Sequence, residues 1–205
     1  MTGMTSLASE ELGSAAQRDR RRRILDATIT LASQGGFDAV QMRTVADLAD
    51  VALGTLYRYF PSKVHLLVSA LAREFEQANA NFDRRTIPGD TAADRVMYVL
   101  SRTSRALQRD PHLTEALTRA FMFADASVAH DIAVVGRHVT RMLLRAMHDQ
   151  SAPGDQVEPS GEDSAIAKVI GDVWLASLVQ WVTGRASAAD VDSSLDIAVR
   201  LLLRD

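Results

Sequence analysis

The chain contains no cysteine, which excludes a disulfide framework and any metal site built on thiolates. It opens without the apolar run of a signal peptide, and no stretch reads as long and apolar enough to span a bilayer. A cytoplasmic protein with no membrane partner is therefore expected. Catalytic strings are missing too: there is no GxSxG, Walker, GxGxxG or HExxH motif. The histidines, at His65, His112, His130, His138 and His148, include no pair at the four-residue spacing that places two ligands on one helix face. His130 beside Asp131 faces a different direction on a helix. No metal, cofactor or catalytic activity is expected, and no segment reads as a strand, so the expected fold is all-α.

What the chain does have is helical periodicity. Its 205 residues, 47% hydrophobic and 24% charged, can bury a good core, and the length suits one long helical domain or a small module beside a larger one. The reading turns on Gln41 to Lys63, QMRTVADLADVALGTLYRYFPSK. Val45, Leu48 and Ala49, then Leu56 and Phe60, form two short helical stripes separated by Asp50, Val51 and Ala52, enough for a tight turn only. This is a helix-turn-helix pattern. Its second helix, Leu53 to Tyr59, would present an exposed face to a DNA major groove.

The candidate contacts on that helix are Leu53, Gly54, Thr55, Tyr57, Arg58 and Tyr59. Gly54 permits close backbone approach, Thr55 and Tyr57 carry hydroxyls and Arg58 a cation, while Leu56 and Phe60 point inward. Pro61 stops the helix, Ser62 caps the next, and Lys63 stands at its start, where backbone N–H groups also favour phosphate. Gln41 and Arg43, at the start of the preceding helix, join the candidates. So do Arg20 and Arg22 in the cluster Arg18 and Arg20 to Arg23, because arginines at a helix start oppose the macrodipole and are steadied by an external anion. Charge partition agrees: residues 17–63 hold eight Lys or Arg against five Asp or Glu, or +3, within a chain of net charge −3.

Residues 1–16 are small, polar and aperiodic, and read as a flexible arm. The first helix carries the stripe Ile24, Ala27, Thr28 and Leu31. After Lys63 a long connecting helix runs to about Phe82, Thr91 and Asp94 form a capping box, Pro111 opens a helix, and another covers Ser127 to His148. Asp149 to Gly161 reads as a polar Pro/Gly/Ser loop, mobile in the free protein. Ile166 to Thr183 is apolar nearly all round and is expected to be buried on several sides; Ser187 with Asp190 then caps the last helix.

GTLYRYFPSK, preceded by RTVADLADVA and by a helix ending in Gly35, Gly36 and Phe37, resembles the DNA-binding domain of the TetR family of bacterial transcriptional repressors. Three departures from that pattern weaken turn and cap chemistry: Asp50 replaces the usual Gly, Ala52 a capping Ser or Thr, and Gln41 a Thr. The resemblance implies residues 17–62 as a helix-turn-helix domain and 63–205 as a helical effector-binding and dimerisation domain. It also implies a homodimer on an inverted-repeat double-stranded DNA operator, with the last two helices packing against their symmetry mates. The dimer candidates are Val173, Trp181, Leu195, Val199 and Leu202, although such residues equally suit the core of one subunit.

An effector cavity in the larger domain is implied as well. Met97, Leu100, Ser104, Phe121, Met122, Met142, Trp174 and Leu178 are its candidates, since Met adapts to irregular shapes and Trp offers a flat wall with a donor. LYRYFPSKVHLLVSALAREFEQAN, with the arginine-rich first helix and Thr118 to Phe121, is further similar to the steroid-catabolism repressors of this family. That similarity implies a sterol-derived coenzyme A thioester as effector, with Arg102, Arg105 or Arg119 at the cavity mouth. A different apolar ligand, such as a fatty acyl-CoA or a drug, or no effector at all, are the alternatives.

Overall fold

The computed structural model describes residues 3–148 and 160–204, and every regular element among them is a helix. α1 (Gly3–Ala39) is interrupted at Gly35 and Gly36; Gly36 has φ 68°, a conformation that glycine adopts without steric cost. α2 (Met42–Leu48) and α3 (Leu53–Tyr59) form the helix-turn-helix, followed by α4 (Lys63–Asp83), α5 (Ala92–Gln108) and α6 (Pro111–Met122). A single 3-10 turn (Ala126–Val128) precedes α7 (Ala129–Met147); α8 (Gly161–Val182) and α9 (Ala188–Leu202) complete the chain.

Local chemistry places most helix starts. Thr91 with Asp94, Ser160 with Asp163 and Ser187 with Asp190 are full capping boxes on α5, α8 and α9, and Asp110 caps α6 ahead of Pro111. The C-terminal end of α7 is closed differently: buried Arg95 donates from Nε to the Ala146 carbonyl at 2.9 Å and from Nη2 to Met147 at 2.9 Å. Asn79, also buried, ties α4 to α7 by donating to the His138 carbonyl at 3.0 Å.

The core is one contiguous cluster. Ile24, Val45, Leu56 and Phe60 fill the small N-terminal unit, α4 carries Leu66, Leu67 and Phe75 across the junction, and Leu100, Leu117, Met142, Ile170 and Leu195 fill the body. Tertiary packing pairs α1 with α6, α4 with α7 and α8 with α9.

Five expectations change. Backbone residues 3–16 are helical, the leading turns of α1 rather than an aperiodic arm. Leu48 is 53% exposed, because the inward face of α2 is carried by Val45, Ala46 and Ala49 instead. The helix expected from Ser127 begins with a 3-10 turn at Ala126, where the Asp125 carboxylate accepts from Ser127 N–H. α8 is covered along one side only, with Ala167, Ile170, Trp174, Ser177 and Leu178 buried and Val169 45% exposed. Its 22 residues also meet the length and hydropathy of a membrane span, contrary to the sequence reading, yet it packs here between α7 and α9. The Pro/Gly/Ser segment lies outside the described residues up to Pro159.

Candidate DNA-binding surface and ligand cavity

α3 presents the expected face. Leu53, Gly54, Tyr57 and Arg58 are exposed, Thr55 is half-buried, and Leu56 is fully buried beneath them. A Cβ built on Gly54 meets nothing within 4 Å, so nothing inside the chain requires a glycine there. Arg58 donates from Nη2 to Thr55 Oγ1 at 3.0 Å, which holds the guanidinium along the helix. Tyr59 is half-buried, its ring tilted against Phe60 at 6.3 Å. Gln41 and Arg43 are exposed at the start of α2 beside this face.

Caps in this unit are weak. Neither Gln41 nor Ala52 makes a side-chain cap hydrogen bond, and Asp50 sits in the left-handed region at φ 52°. Tertiary contacts substitute for the missing local ones. Arg23 donates from Nη1 to the Ala49 carbonyl at 2.6 Å and the Asp50 carbonyl at 3.3 Å, closing the end of α2.

The arginine cluster therefore divides. Arg21 lies over the Phe60 ring at 4.9 Å and Arg23 caps α2, while Arg22 is exposed and paired with Asp19, and Arg20 is half-buried. Lys63 departs from its expected orientation toward phosphate. Its Nζ donates to the Phe37 carbonyl at 2.8 Å and lies 4.0 Å over the Phe37 ring, and burial pushes the ammonium below the usual lysine range.

That contact belongs to a junction between α1 and α6. The Glu115 carboxylate accepts from Phe37 N–H at 2.8 Å, Arg119 stacks 4.5 Å over the Phe37 ring, and Arg119 also lies 3.4 Å from Asp38. A Cβ on Gly36 would stand 2.6 Å from Glu115 Oε2, so the close approach requires glycine. Arg119 is thus committed to α1 and does not reach a cavity mouth.

On its other face α6 walls a cavity. This space, about 160 Å³, is lined by Leu71 and Phe75 of α4, Leu117 and Phe121 of α6, and Trp174 and Leu178 of α8, among others. Phe75 meets Trp174 edge-on at 5.7 Å, and the indole Nε1–H donates to buried Ser104 Oγ at 2.9 Å.

Of the expected pocket residues, Phe121, Trp174 and Leu178 line the cavity, and Ser104 holds the indole from behind. Leu100 and Met142 are buried in the core off its wall, because their faces of α5 and α7 meet each other instead. Met97 lies on an outer groove with Arg102 and Arg105 that shares no lining residue with the cavity, and Met122 is 53% exposed. Sequence reasoning missed Leu71, Phe75, Leu117, Val135 and the small residues Gly136 and Gly171. Leu71 and Phe75 stand four residues apart and so share one helix face, but nothing local marks that face as wall rather than core.

The dimer candidates divide in the same way. Leu195 and Val199 are fully buried within this chain, which corrects their placement at a subunit contact. Val173, Trp181 and Leu202 are half-buried, and the apolar side chains left open beside them are Val169, Ile197, at 62% exposure, and Leu201, at 54%.

A small helix-turn-helix unit joined by one long helix to a larger helical body with an internal cavity defines a helix-turn-helix transcriptional regulator. Two family models match the chain: "Bacterial regulatory proteins, tetR family" over residues 24–70, and "Tetracyclin repressor-like, C-terminal domain" over residues 89–202. The HTH-type transcriptional repressor KstR of Mycolicibacterium smegmatis is 56% identical over 99% of this chain and 96% of its own length. The KstR protein of Mycobacterium tuberculosis is 56% identical over 97% and 87%. Among solved structures, a TetR transcriptional regulator from Rhodococcus sp. RHA1 has a TM-score of 0.78 at 33% identity, covering 92% of this chain and 97% of that one. The FadR regulator of Bacillus subtilis, solved in complex with stearoyl-CoA, shares the fold at a TM-score of 0.64 and 19% identity, covering 89% and 97%. The chain belongs to the TetR family. It is a transcriptional regulator rather than an enzyme.

Proposed function

We propose that this chain is a dimeric repressor that holds an inverted-repeat operator and is released when an apolar effector fills the cavity. Leu53, Gly54, Thr55, Tyr57 and Arg58 read the major groove, while Arg20, Arg22, Gln41, Arg43 and Tyr59 steady the unit on the backbone; Lys63 acts indirectly by holding Phe37. The open apolar side of α8 and α9, with Val169, Val173, Trp181, Ile197 and Leu201, is the surface for the second subunit, whose two-fold symmetry matches a palindromic operator.

One observation carries the release mechanism: the helix that walls the cavity through Leu117 and Phe121 also grips α1 through Glu115 and Arg119. At about 160 Å³ the cavity is smaller than the roughly 300 Å³ at the low end of ligand sites, so an effector must spread α4, α6 and α8 to enter. Spreading α6 and α4 shifts the Phe37 junction and with it the two recognition helices. Linkage then requires that an effector favouring the spread form weakens operator binding by the same factor.

The effector is a sterol-derived coenzyme A thioester, and the genes controlled serve steroid catabolism. This reading is supported by the sequence similarity to steroid-catabolism repressors and by the extent of identity to KstR proteins. The test is fluorescence anisotropy of DNA from upstream of the protein's own gene, with and without sterol CoA thioesters. Tight binding abolished by the thioester but not by free coenzyme A is expected. Tight binding that no thioester disturbs would remove the steroid assignment, and no binding at all would remove the operator.

A further inference from the structure

α5 leaves a row of cations on its outward face. Its inward stripe, Val96, Val99, Leu100 and Thr103, is buried, and opposite it Tyr98, Arg102, Arg105 and Arg109 are exposed. They line a groove of about 620 Å³ bounded by α5 and by Pro88 and Gly89, apart from the cavity, from α3 and from the open side of α8 and α9. The loop is packed directly on the helix: a Cβ on Gly89 would stand 2.6 Å from the Arg95 backbone nitrogen. The guanidinium groups of Arg102, Arg105 and Arg109 make no hydrogen bond or ion pair among the described residues, whereas Arg119, Arg141, Arg145 and Arg200 all have carboxylate partners. Asp94, the only carboxylate among the described residues that line the groove, is already held by the Thr91 hydroxyl at 2.9 Å and by Arg200 at 3.3 Å. The α5 macrodipole favours Arg105 in the last turn, but Arg102 stands earlier, and cations three and four residues apart repel one another. An external anionic partner would relieve that repulsion.

Three features define what fits there. The groove is walled by one helix and its leading loop, and a small ligand is normally enclosed over most of its surface, so the occupant is a macromolecular surface. Tyr98, Arg102, Arg105 and Arg109 follow a four-three-four spacing, the seam spacing of paired helices, over roughly 16 Å of helix. Exposed Tyr98 and half-buried Met97 form an apolar end beside Asp94, which suits a protein side chain and repels a phosphodiester. We propose that this face docks an acidic helix of another protein, with an apolar side chain on Tyr98 and carboxylates facing Arg102, Arg105 and Arg109. Tyr, Met and Arg are the residue types enriched in protein interfaces, and a guanidinium meets a carboxylate through two parallel donors. A second copy of this chain does not supply the match: among the described residues, no helix carries three carboxylates at that spacing.

The test is fluorescence anisotropy of a synthetic, covalently stapled helical peptide carrying Leu, Glu, Glu and Glu at the four-three-four spacing, titrated with the full-length protein. Matching peptides with Gln or Lys in place of Glu, a single-stranded oligonucleotide and ATP are the comparison probes. The Glu peptide should bind, more weakly as salt is raised, and the Gln peptide should bind about tenfold more weakly. Arg102→Gln and Arg105→Gln should each cost the Glu peptide about fivefold, the scale of one exposed ion pair, while Tyr98→Ala should weaken the Glu and Gln peptides equally. The double variant Arg102→Glu with Arg105→Glu should prefer the Lys peptide. Operator binding and thermal melting, unchanged in every variant, are the folding check, and the Gln variants carry the test if the double variant melts early. A Glu peptide that does not bind the wild-type protein, binding that these substitutions leave unchanged, or tighter binding of ATP or the oligonucleotide at the same arginines would each overturn the docking assignment. A changed oligomeric state in the double variant, read by light scattering, would overturn it too by giving the face to a second copy.

Discussion

The helix-turn-helix and the body of this protein are stabilised by opposite means. α5, α8 and α9 start on full capping boxes and run 17, 22 and 15 residues, so much of their stability is written locally. α2 and α3 have seven residues each, no side-chain cap, and Asp50 in a left-handed turn between them. Helices that short do not persist alone. They stand because Leu56, Phe60 and Val45 are fully packed and because Arg23, from α1, closes α2. The DNA-reading unit is thus defined by tertiary contact, and its conformation answers to the helices behind it.

The contrast can be broken most severely at the packing it depends on. Leu56→Ala should cost about 2–5 kcal/mol and abolish operator binding, as read by thermal melting and anisotropy. Next, the caps should respond with opposite sign in the two regions. Removing one from the body, as in Ser187→Ala, should cost about 1 kcal/mol, whereas supplying one to α3 with Ala52→Ser should gain up to about 1 kcal/mol. Denaturant melts of the two single variants give both signs. Relieving the turn with Asp50→Gly should stabilise by about 1 kcal/mol less the unfolded-state entropy that glycine restores, a net gain of a few tenths. A loss there would mean that the 3.9 Å approach of the Asp50 carboxylate to Arg23 matters more than backbone strain.

Acid offers the mildest probe. Asp94, Asp163 and Asp190 are held below the usual carboxylate range, foremost by the hydroxyls of Thr91, Ser160 and Ser187. A depressed folded pKa gives stability that is fully present above the unfolded value near about 3.9 and is lost as pH falls through the folded one. α2 and α3 have no first-turn carboxylate, so this acid-sensitive component belongs to the body. Ser187→Ala should flatten the low-pH limb of a helicity titration, and an unchanged limb would remove this explanation.

Legibility followed the range of the interactions. The bounds of α3, the Ser62 cap, and the capping boxes at Thr91 and Ser187 were readable because they are fixed within four residues of sequence. The faces that α3 turns inward and outward were readable for the same reason, through Leu56 and Phe60. Lys63 was misread because its partner, Phe37, lies 26 residues away and is brought close only by the turn at Gly36. Met122 and Phe121 show the limit more sharply. Adjacent on one helix and equally apolar, one is exposed and the other lines the cavity, and only the placement of α6 between α1 and α8 separates them.

By itself, then, the sequence determined an all-helical chain, a helix-turn-helix with α3 as its outer helix, and the starts of α4, α5, α6 and α9. Those features depend on 3.6-residue periodicity and on caps, which act between near neighbours. Tertiary structure alone decided which apolar residues wall the cavity, which lie in the core and which stay open on α8 and α9. It also decided that α6 joins the cavity to Phe37, because those outcomes depend on how helices distant in sequence cross, and periodicity carries no record of the crossing.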